Sequence, residues 1–303
     1  MKIPHTPVLL EEVKEIFKDT KEGYIIDCTV GYGGHSEALL KQNPKVKLIC
    51  CDQDRVAIDF SKKRLKKYSH RVIFENDKFS NIISKYKDFP LRGVLADIGV
   101  SSLQLDDESR GFGFKSSVLD MRMDKSNTLS AYEVVNSYSL SELENILRDY
   151  GEVREYRRAA KIIIEARKKA EIKSSQQLTD IFKKFPSKKG INPATLIFQA
   201  IRIEVNDELG ELALLLKALE DANLHDCIVS IISFHSLEDR IVKRVFKEFA
   251  KSCNCPSGIM RCECGNNHSL GKILTKKPIE PTKKEIESNP RSRSSKMRVF
   301  YLK

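Results

Sequence analysis

The densest local chemistry in the chain lies in Asp27-Cys-Thr-Val-Gly31-Tyr-Gly33-Gly34-His35. Glycines in such a loop let the backbone turn sharply and approach a ligand closely. A second acid, Asp52, follows 18 residues beyond Gly34. At the end of the next strand a carboxylate can accept both hydroxyls of an adenosine ribose. That geometry serves a nicotinamide dinucleotide and S-adenosylmethionine alike. A dinucleotide fingerprint wants a third glycine at position 36, where the chain has Ser36. Asp27, ahead of the glycines, favours S-adenosylmethionine, whose methionine amine pairs with an acid there. The plain alternative is a strand-to-helix turn with surface acids.

Three more segments of this kind occur at predicted strand ends: Asp77-Lys-Phe79, Asp97-Ile-Gly-Val-Ser101-Ser102-Leu-Gln104 and Ser233-Phe-His235-Ser236. In an open α/β sheet the ligand sits outside the carboxyl ends of the strands. Phe79 can stack on an adenine, although a lone phenylalanine serves equally in a core. Asp97, Ser101, Ser102 and His235 are candidate catalytic residues. His235 and Ser236 can instead cap the following helix.

Farther along, Cys253-Asn-Cys255 and Cys262-Glu-Cys264 are paired Cys-x-Cys elements. Four thiolates so close can close a tetrahedral zinc site, although Cys-x-x-Cys is the commoner spacing. Free thiols in a loop are the alternative. Cys28, Cys50, Cys51 and Cys227 fall in predicted strands and read as core.

These residues need a scaffold. Tyr24–Cys28, Val46–Cys51, Val72–Glu75, Gly93–Ile98 and Cys227–Phe234 read as buried strands. Between them run predicted helices over Gly34–Lys41, Arg55–Lys67 and about Asn81–Tyr86. Strands alternating with helices imply a parallel sheet covered on both faces. From about Asp106 to Val205 only helices are legible. Ser141 with Glu144 and Ser174 with Gln177 predict capping boxes, and Asn192-Pro193 predicts a helix start. Ile197, Phe198, Ile201 and Val205 share one helical face. A helix over Leu237–Ala250 carries an apolar face and a basic face of Arg240, Lys243, Arg244 and Lys247, and Lys296–Leu302 reads as a last strand. The reading is a doubly wound α/β domain, residues 1–105 and 206–303, with a helical domain inserted at 106–205.

The chain has 303 residues and a net charge of +11, which points to a polyanionic partner. Seven of those charges lie in the tail, where Lys272, Lys276, Lys277, Lys283, Lys284, Arg291, Arg293, Lys296, Arg298 and Lys303 outnumber three glutamates. Pro278, Pro281 and Pro290 are expected to keep that segment extended for RNA contact. Arg154, Arg157, Arg158 and Lys161 form a second basic stripe on an inserted helix. No apolar run is long enough to span a bilayer, so a cytoplasmic location is expected.

Seven motifs together resemble one family. They are His5-Thr-Pro-Val-Leu-Leu-Glu-Glu, Gly33-Gly34-His35, Asp97-Ile-Gly-Val-Ser-Ser, Arg110-Gly-Phe-Gly-Phe, Leu119-Asp-Met-Arg-Met-Asp124, Ile232-Ser-Phe-His-Ser-Leu-Glu-Asp-Arg240 and Asn289-Pro-Arg-Ser-Arg-Ser-Ser295. The chain resembles the MraW family, the H-type methyltransferases of small-subunit ribosomal RNA. The resemblance implies a Rossmann-like class I methyltransferase with an inserted all-helical domain. It implies methylation of the N4 amine of a cytosine in the decoding region of 16S ribosomal RNA, with S-adenosylmethionine as donor and that RNA or the small ribosomal subunit as partner. Its implied cofactor contacts fall on Gly33, Gly34, His35, Asp52, Phe79, Asp97 and Gln104. Not every member of the family carries a cysteine cluster, which implies a structural role for any zinc at Cys253, Cys255, Cys262 and Cys264. The competing readings are a nicotinamide oxidoreductase, a methyltransferase for another RNA or DNA nucleotide, and a non-catalytic ribosome-assembly factor.

Overall fold

The structure, a computed structural model, describes residues 7–187, 191–256 and 262–303, with the side chains of Ser102 and Leu103 left aside. His5 and Thr6 of the first motif lie outside the described residues. The chain divides into two compact units, Met1–Gly99 with Gly210–Lys303, and Val100–Leu209.

In the first unit α1 (Leu10–Phe17) precedes β1 (Gly23–Asp27), α2 (Gly34–Gln42), β2 (Val46–Cys51), α3 (Arg55–Arg64), β3 (Val72–Glu75), α4 (Phe79–Tyr86) and β4 (Leu91–Asp97). The second unit contributes α5 (Ser102–Asp106), α6 (Ala131–Ser137), α7 (Leu140–Asp149), α8 (Tyr156–Lys169), α9 (Ser175–Ile181) and α10 (Thr195–Asn206). Then α11 (Glu208–Asp221) leads back to β5 (Cys227–Ser233), α12 (Ser236–Phe249), β6 (Gly271–Ile273), α13 (Lys283–Ser288) and β7 (Lys296–Leu302).

The seven strands lie in the order β3-β2-β1-β4-β5-β7-β6. Those from β1 to β5 pair in parallel, and β7 runs antiparallel between β5 and β6. The first five follow the order of a doubly wound, Rossmann-like sheet. Alternation along the strands divides the core. Ile25, Leu48, Cys50 and Leu95 face one side, with Leu39, Leu40 and Ile58 from the helices. Ile26, Ile49, Cys51, Val94 and Ala96 face the other, with Ile82, Leu215 and Val242. A period of two with both faces buried is what the continuous apolar runs require.

The predicted strands match those observed to within two residues at each end. β6 and α13 carry too few apolar residues to be legible. The tail is not extended as expected: Thr282 caps α13, and Pro290 opens a short 3-10 turn. Proline suits a first helical position because it has no N–H to satisfy.

Among the described residues the second unit holds helices and loops but no strand, around its own core, which includes Leu143, Ile163, Leu178, Ile197 and Ile201. The cap of α7 is Ser139 with Glu142, not Ser141 with Glu144. Ser139 N donates to the Glu142 carboxylate at 2.7 Å, and Ser139 Oγ accepts from Glu142 N at 3.3 Å. Both registers satisfy the same spacing. The earlier one is the register observed, and Leu143, Ile146 and Leu147 are buried on the helix it starts. Ser174 and Gln177 cap α9 as expected. Asn192 does not begin α10; its side chain accepts from Ala194 N at 2.9 Å in a turn, and the helix starts at Thr195. The sequence drew the unit edges at 105/106 and 205/206. In the structure Val100 and Leu105 pack on the second unit's core, and Asn206 bonds Met121 O and Met123 N.

Candidate functional site

In sheet order, β3, β2, β1 and β4 each deliver an aspartate at or just beyond their carboxyl ends: Asp77, Asp52, Asp27 and Asp97. Parallel strands about 4.8 Å apart set these acids in a row. The glycine loop runs over the middle of that row and is fixed from several directions. Val30 N donates to Cys51 O at 2.9 Å, Ser61 Oγ to Gly31 O at 2.6 Å, and Arg64 to Tyr32 O at 3.1 Å. Gly33 stands at φ 72°, where a side chain would be strained, and caps α2. A Cβ on Gly34 would come within 2.3 Å of the Pro7 ring. These glycines therefore hold the turn and let Pro7, ahead of α1, pack against it.

Asp52 is the acid most closely tied to the loop. Gly31 N donates to its Oδ2 and Asp54 N to its Oδ1, both at 2.9 Å. Each oxygen keeps a lone pair for a further donor. The side chain is half-buried, and burial pushes its carboxyl up to about 7 against the pull of the two backbone donors. Asp27 is deeper. Burial raises its carboxyl above the ordinary value, opposed chiefly by the Ser36 hydroxyl, which donates at 2.6 Å. Ser36 thus does work that a glycine at that position could not do. Sequence reading noted Ser36 only as a missing glycine, although a hydroxyl one helical turn past the loop was the available signal. Thr29 was also overlooked; its Oγ1 accepts from Asp97 N at 2.8 Å and ties β1 to the end of β4.

His35 is buried at the start of α2, with Nε2 3.5 Å from Asp97 Oδ2. Among the described residues neither of its ring nitrogens has a hydrogen-bond partner, nor does Asp97 Oδ1. Buried polar groups left this way suit a ligand that satisfies them. Phe79 opens α4, half-buried against the core, so one part of its ring packs and another faces out. Together the loop backbone, Asp27, His35, Asp52, Phe79 and Asp97 offer what an adenosyl ligand with a charged amino-acid end needs.

At the next strand end, His235 is the N-cap of α12. Its Nε2 is 3.0 Å from Glu238, whose buried carboxylate also accepts from Phe234 N and His235 N. In the second unit, Ser101 and Gln104 brace the start of α5: Ser101 N donates to Gln104 Oε1 at 3.0 Å, and Gln104 N to Ser101 Oγ at 3.3 Å. The Ser102 side chain lies outside the described residues. Arg110 is buried and donates to the carbonyls of Arg122 and Met123, so that motif residue supports the second unit's interior.

The basic residues sort by exposure. Arg240, Lys243, Arg244 and Lys247 line the exposed face of α12. Lys272, Lys276, Lys277, Lys283, Lys284, Arg291, Arg293 and Lys303 are exposed in the tail. Arg298 must leave that set: it is buried and clamps Asp239 at 2.6 and 3.1 Å. Its position on β7 turns it toward α12 with Phe300 and Leu302, away from solvent. Lys296 is half-buried. In the second unit Arg157, Arg158 and Lys161 are exposed on α8, and Arg154 precedes that helix. No described helix is long and apolar enough to cross a membrane.

A family model described as the MraW methylase family matches residues 2–303. A ribosomal RNA small subunit methyltransferase H from Aliarcobacter butzleri is 62% identical over 300 residues, covering 99% of each chain. Proteins of the same name are 54% identical in Wolinella succinogenes, covering 100% of both chains, and in Campylobacter jejuni, covering 100% of this chain and 98% of that one.

Proposed function

The chain belongs to the MraW methylase family, and from that premise we propose that it methylates the N4 amine of a cytosine in the decoding region of 16S ribosomal RNA, using S-adenosylmethionine. The coarser reading, a methyltransferase of small-subunit ribosomal RNA, rests on relatives that match along the whole chain. The observation that carries the site is the Asp52 carboxylate, held across the glycine loop with one lone pair left on each oxygen.

The donor, when bound, supplies a sulfonium-activated methyl group. Asp52 would accept the ribose hydroxyls, and Phe79 would stack on the adenine. The Gly33-Gly34-His35 turn would give close backbone approach to the amino-acid end, with the buried Asp27 as its acid. Asp97 would complete the cofactor set on this unit.

The N4 lone pair of cytosine is delocalised into the ring, so the amine is a weak nucleophile. Orientation by the protein supplies most of the rate. Asp97 and His235, at the ends of adjacent strands, accept hydrogen bonds from the amine, and one of them takes the proton released after transfer. The cytosine leaves its stack to reach these groups. The exposed basic face of α12 and the basic tail hold RNA phosphates.

The test is to incubate the protein with methyl-labelled donor and small ribosomal subunits from cells lacking the modification, then digest the RNA and map the label. Label on N4 of a single decoding-region cytosine is expected. Label on another base or another atom overturns the assignment.

A further inference from the structure

Away from the row of aspartates, the segment between α12 and β6 brings four cysteines together. The sulfurs of Cys253, Cys255, Cys262 and Cys264 all lie within 4.8 Å of one another. Three of the separations are 3.5 Å (Cys262 to Cys264), 3.6 Å (Cys253 to Cys262) and 3.7 Å (Cys253 to Cys264). A zinc ion bound to four thiolates at about 2.3 Å sets neighbouring sulfurs about 3.8 Å apart, the edge of the tetrahedron. The observed spacing is close to that edge.

The backbone around the sulfurs is arranged for the same purpose. Asn254 N donates to Cys264 Sγ at 3.3 Å, and Glu263 N donates to Cys255 Sγ at 3.3 Å. The middle residue of each Cys-x-Cys element thus donates to the second cysteine of the other, a two-fold exchange across the cluster. Amide donors aimed at sulfur stabilise thiolates bound to metal far more than neutral thiols. The setting also differs from that of the other cysteines. Cys28, Cys50, Cys51 and Cys227 are buried one by one in the sheet core, whereas these four converge on a polar, partly exposed loop. That loop is closed at its base by His268 N to Ser252 O at 3.0 Å and Leu270 N to Phe249 O at 2.8 Å.

We propose that Cys253, Cys255, Cys262 and Cys264 bind one zinc ion in a closed, purely structural tetrahedral site. All four positions are filled by the protein, which leaves none for water or substrate. An iron–sulfur cluster is disfavoured because thiolates on separate irons stand much farther apart. Two disulfides would require pairs at bonding distance, whereas Cys253, Cys262 and Cys264 stand 3.5–3.7 Å apart and all four lie within 4.8 Å of one another. The ion ties the end of basic α12 to the start of β6. Binding takes Zn²⁺ from solution and releases the thiol protons, with no change of oxidation state.

The test uses the full chain purified without chelators. Plasma mass spectrometry is expected to find one zinc per chain, and Cys253→Ser with Cys264→Ser is expected to abolish it. Exchange into Co²⁺ is expected to give the intense visible bands of a tetrahedral tetrathiolate, a readout that needs no variant to fold. Stripping the metal is expected to speed proteolysis between Ala250 and Gly271 while circular dichroism of the remainder stays unchanged. Stoichiometric iron, a mass deficit from disulfide formation, or failure of the reduced protein to take up zinc or cobalt would each overturn the assignment.

Discussion

The Asp52 carboxyl gives the sharpest prediction, because its ionisation and its hydrogen bonds pull in opposite directions. Burial lifts it from an ordinary 3.8 to about 7. An acid raised on folding binds its proton more tightly in the folded state. Its contribution to the stability of the unliganded protein is therefore fully present below pH 3.8 and lost as pH rises through about 7. Donor binding runs the other way, since only the ionised carboxylate accepts from both ribose hydroxyls. Between pH 8 and pH 6 the ionised fraction falls from about nine-tenths to about one-tenth, so donor affinity is expected to fall roughly tenfold, about 1.4 kcal/mol. In Asp52→Asn the amide can accept from Gly31 N or from Asp54 N, not from both, because one terminus is now a donor. Loss of a charge-assisted hydrogen bond of about 2 kcal/mol is expected to weaken binding roughly thirtyfold at pH 8 and to flatten the pH profile. Calorimetric titration with S-adenosylmethionine at pH 6, 7 and 8 measures both. If the asparagine variant keeps the wild-type slope, another group carries the dependence and the reasoning about Asp52 fails.

Three further outcomes follow from the same geometry. Gly34→Ala drives a methyl group to within 2.3 Å of the Pro7 ring and is expected to cost about 1–3 kcal/mol in urea denaturation; an unchanged midpoint would show that the contact yields freely. Ser36→Gly completes a dinucleotide-type glycine pattern but removes the donor to buried Asp27, so weaker S-adenosylmethionine binding and no gain of NADH binding by fluorescence are expected, and NADH binding would refute the role given to Ser36. Reversing Lys283, Lys284, Arg291 and Arg293 to glutamate is expected to lower the salt slope of RNA binding by about 3, whereas Arg298→Ala, which strands Asp239, is expected to act on stability by about 3–5 kcal/mol; a folded Arg298→Ala protein with only an RNA defect would reverse that assignment.

What could be read from the sequence follows from where the information lies. Strands β1, β2, β4 and β5 are buried on both faces, so their apolar runs announce themselves without any partner. The glycine loop and Asp52 were legible because turn chemistry and strand spacing are local. The roles of Ser36 and Thr29 were not, since each depends on a carboxylate or an amide brought close by folding. The α7 cap failed for a different reason: Ser139 and Ser141 offer the same pattern two residues apart, and burial of Leu143 and Leu147 is compatible with either. Arg298 counted as a tail charge until β7 was seen to run antiparallel beside β5, which turns that side chain to Asp239.

The Arg298–Asp239 clamp has a consequence for how a polyanion would be met. It pins the first turn of α12 to the sheet, and Phe246 packs on Phe300 farther along, with ring centroids 5.2 Å apart. The four cations on the outer face of that helix therefore sit on a rigid mount. Little backbone freedom remains to be surrendered when phosphates arrive, so encounter should be fast, strongly slowed by added salt, and free of any ordering step before contact.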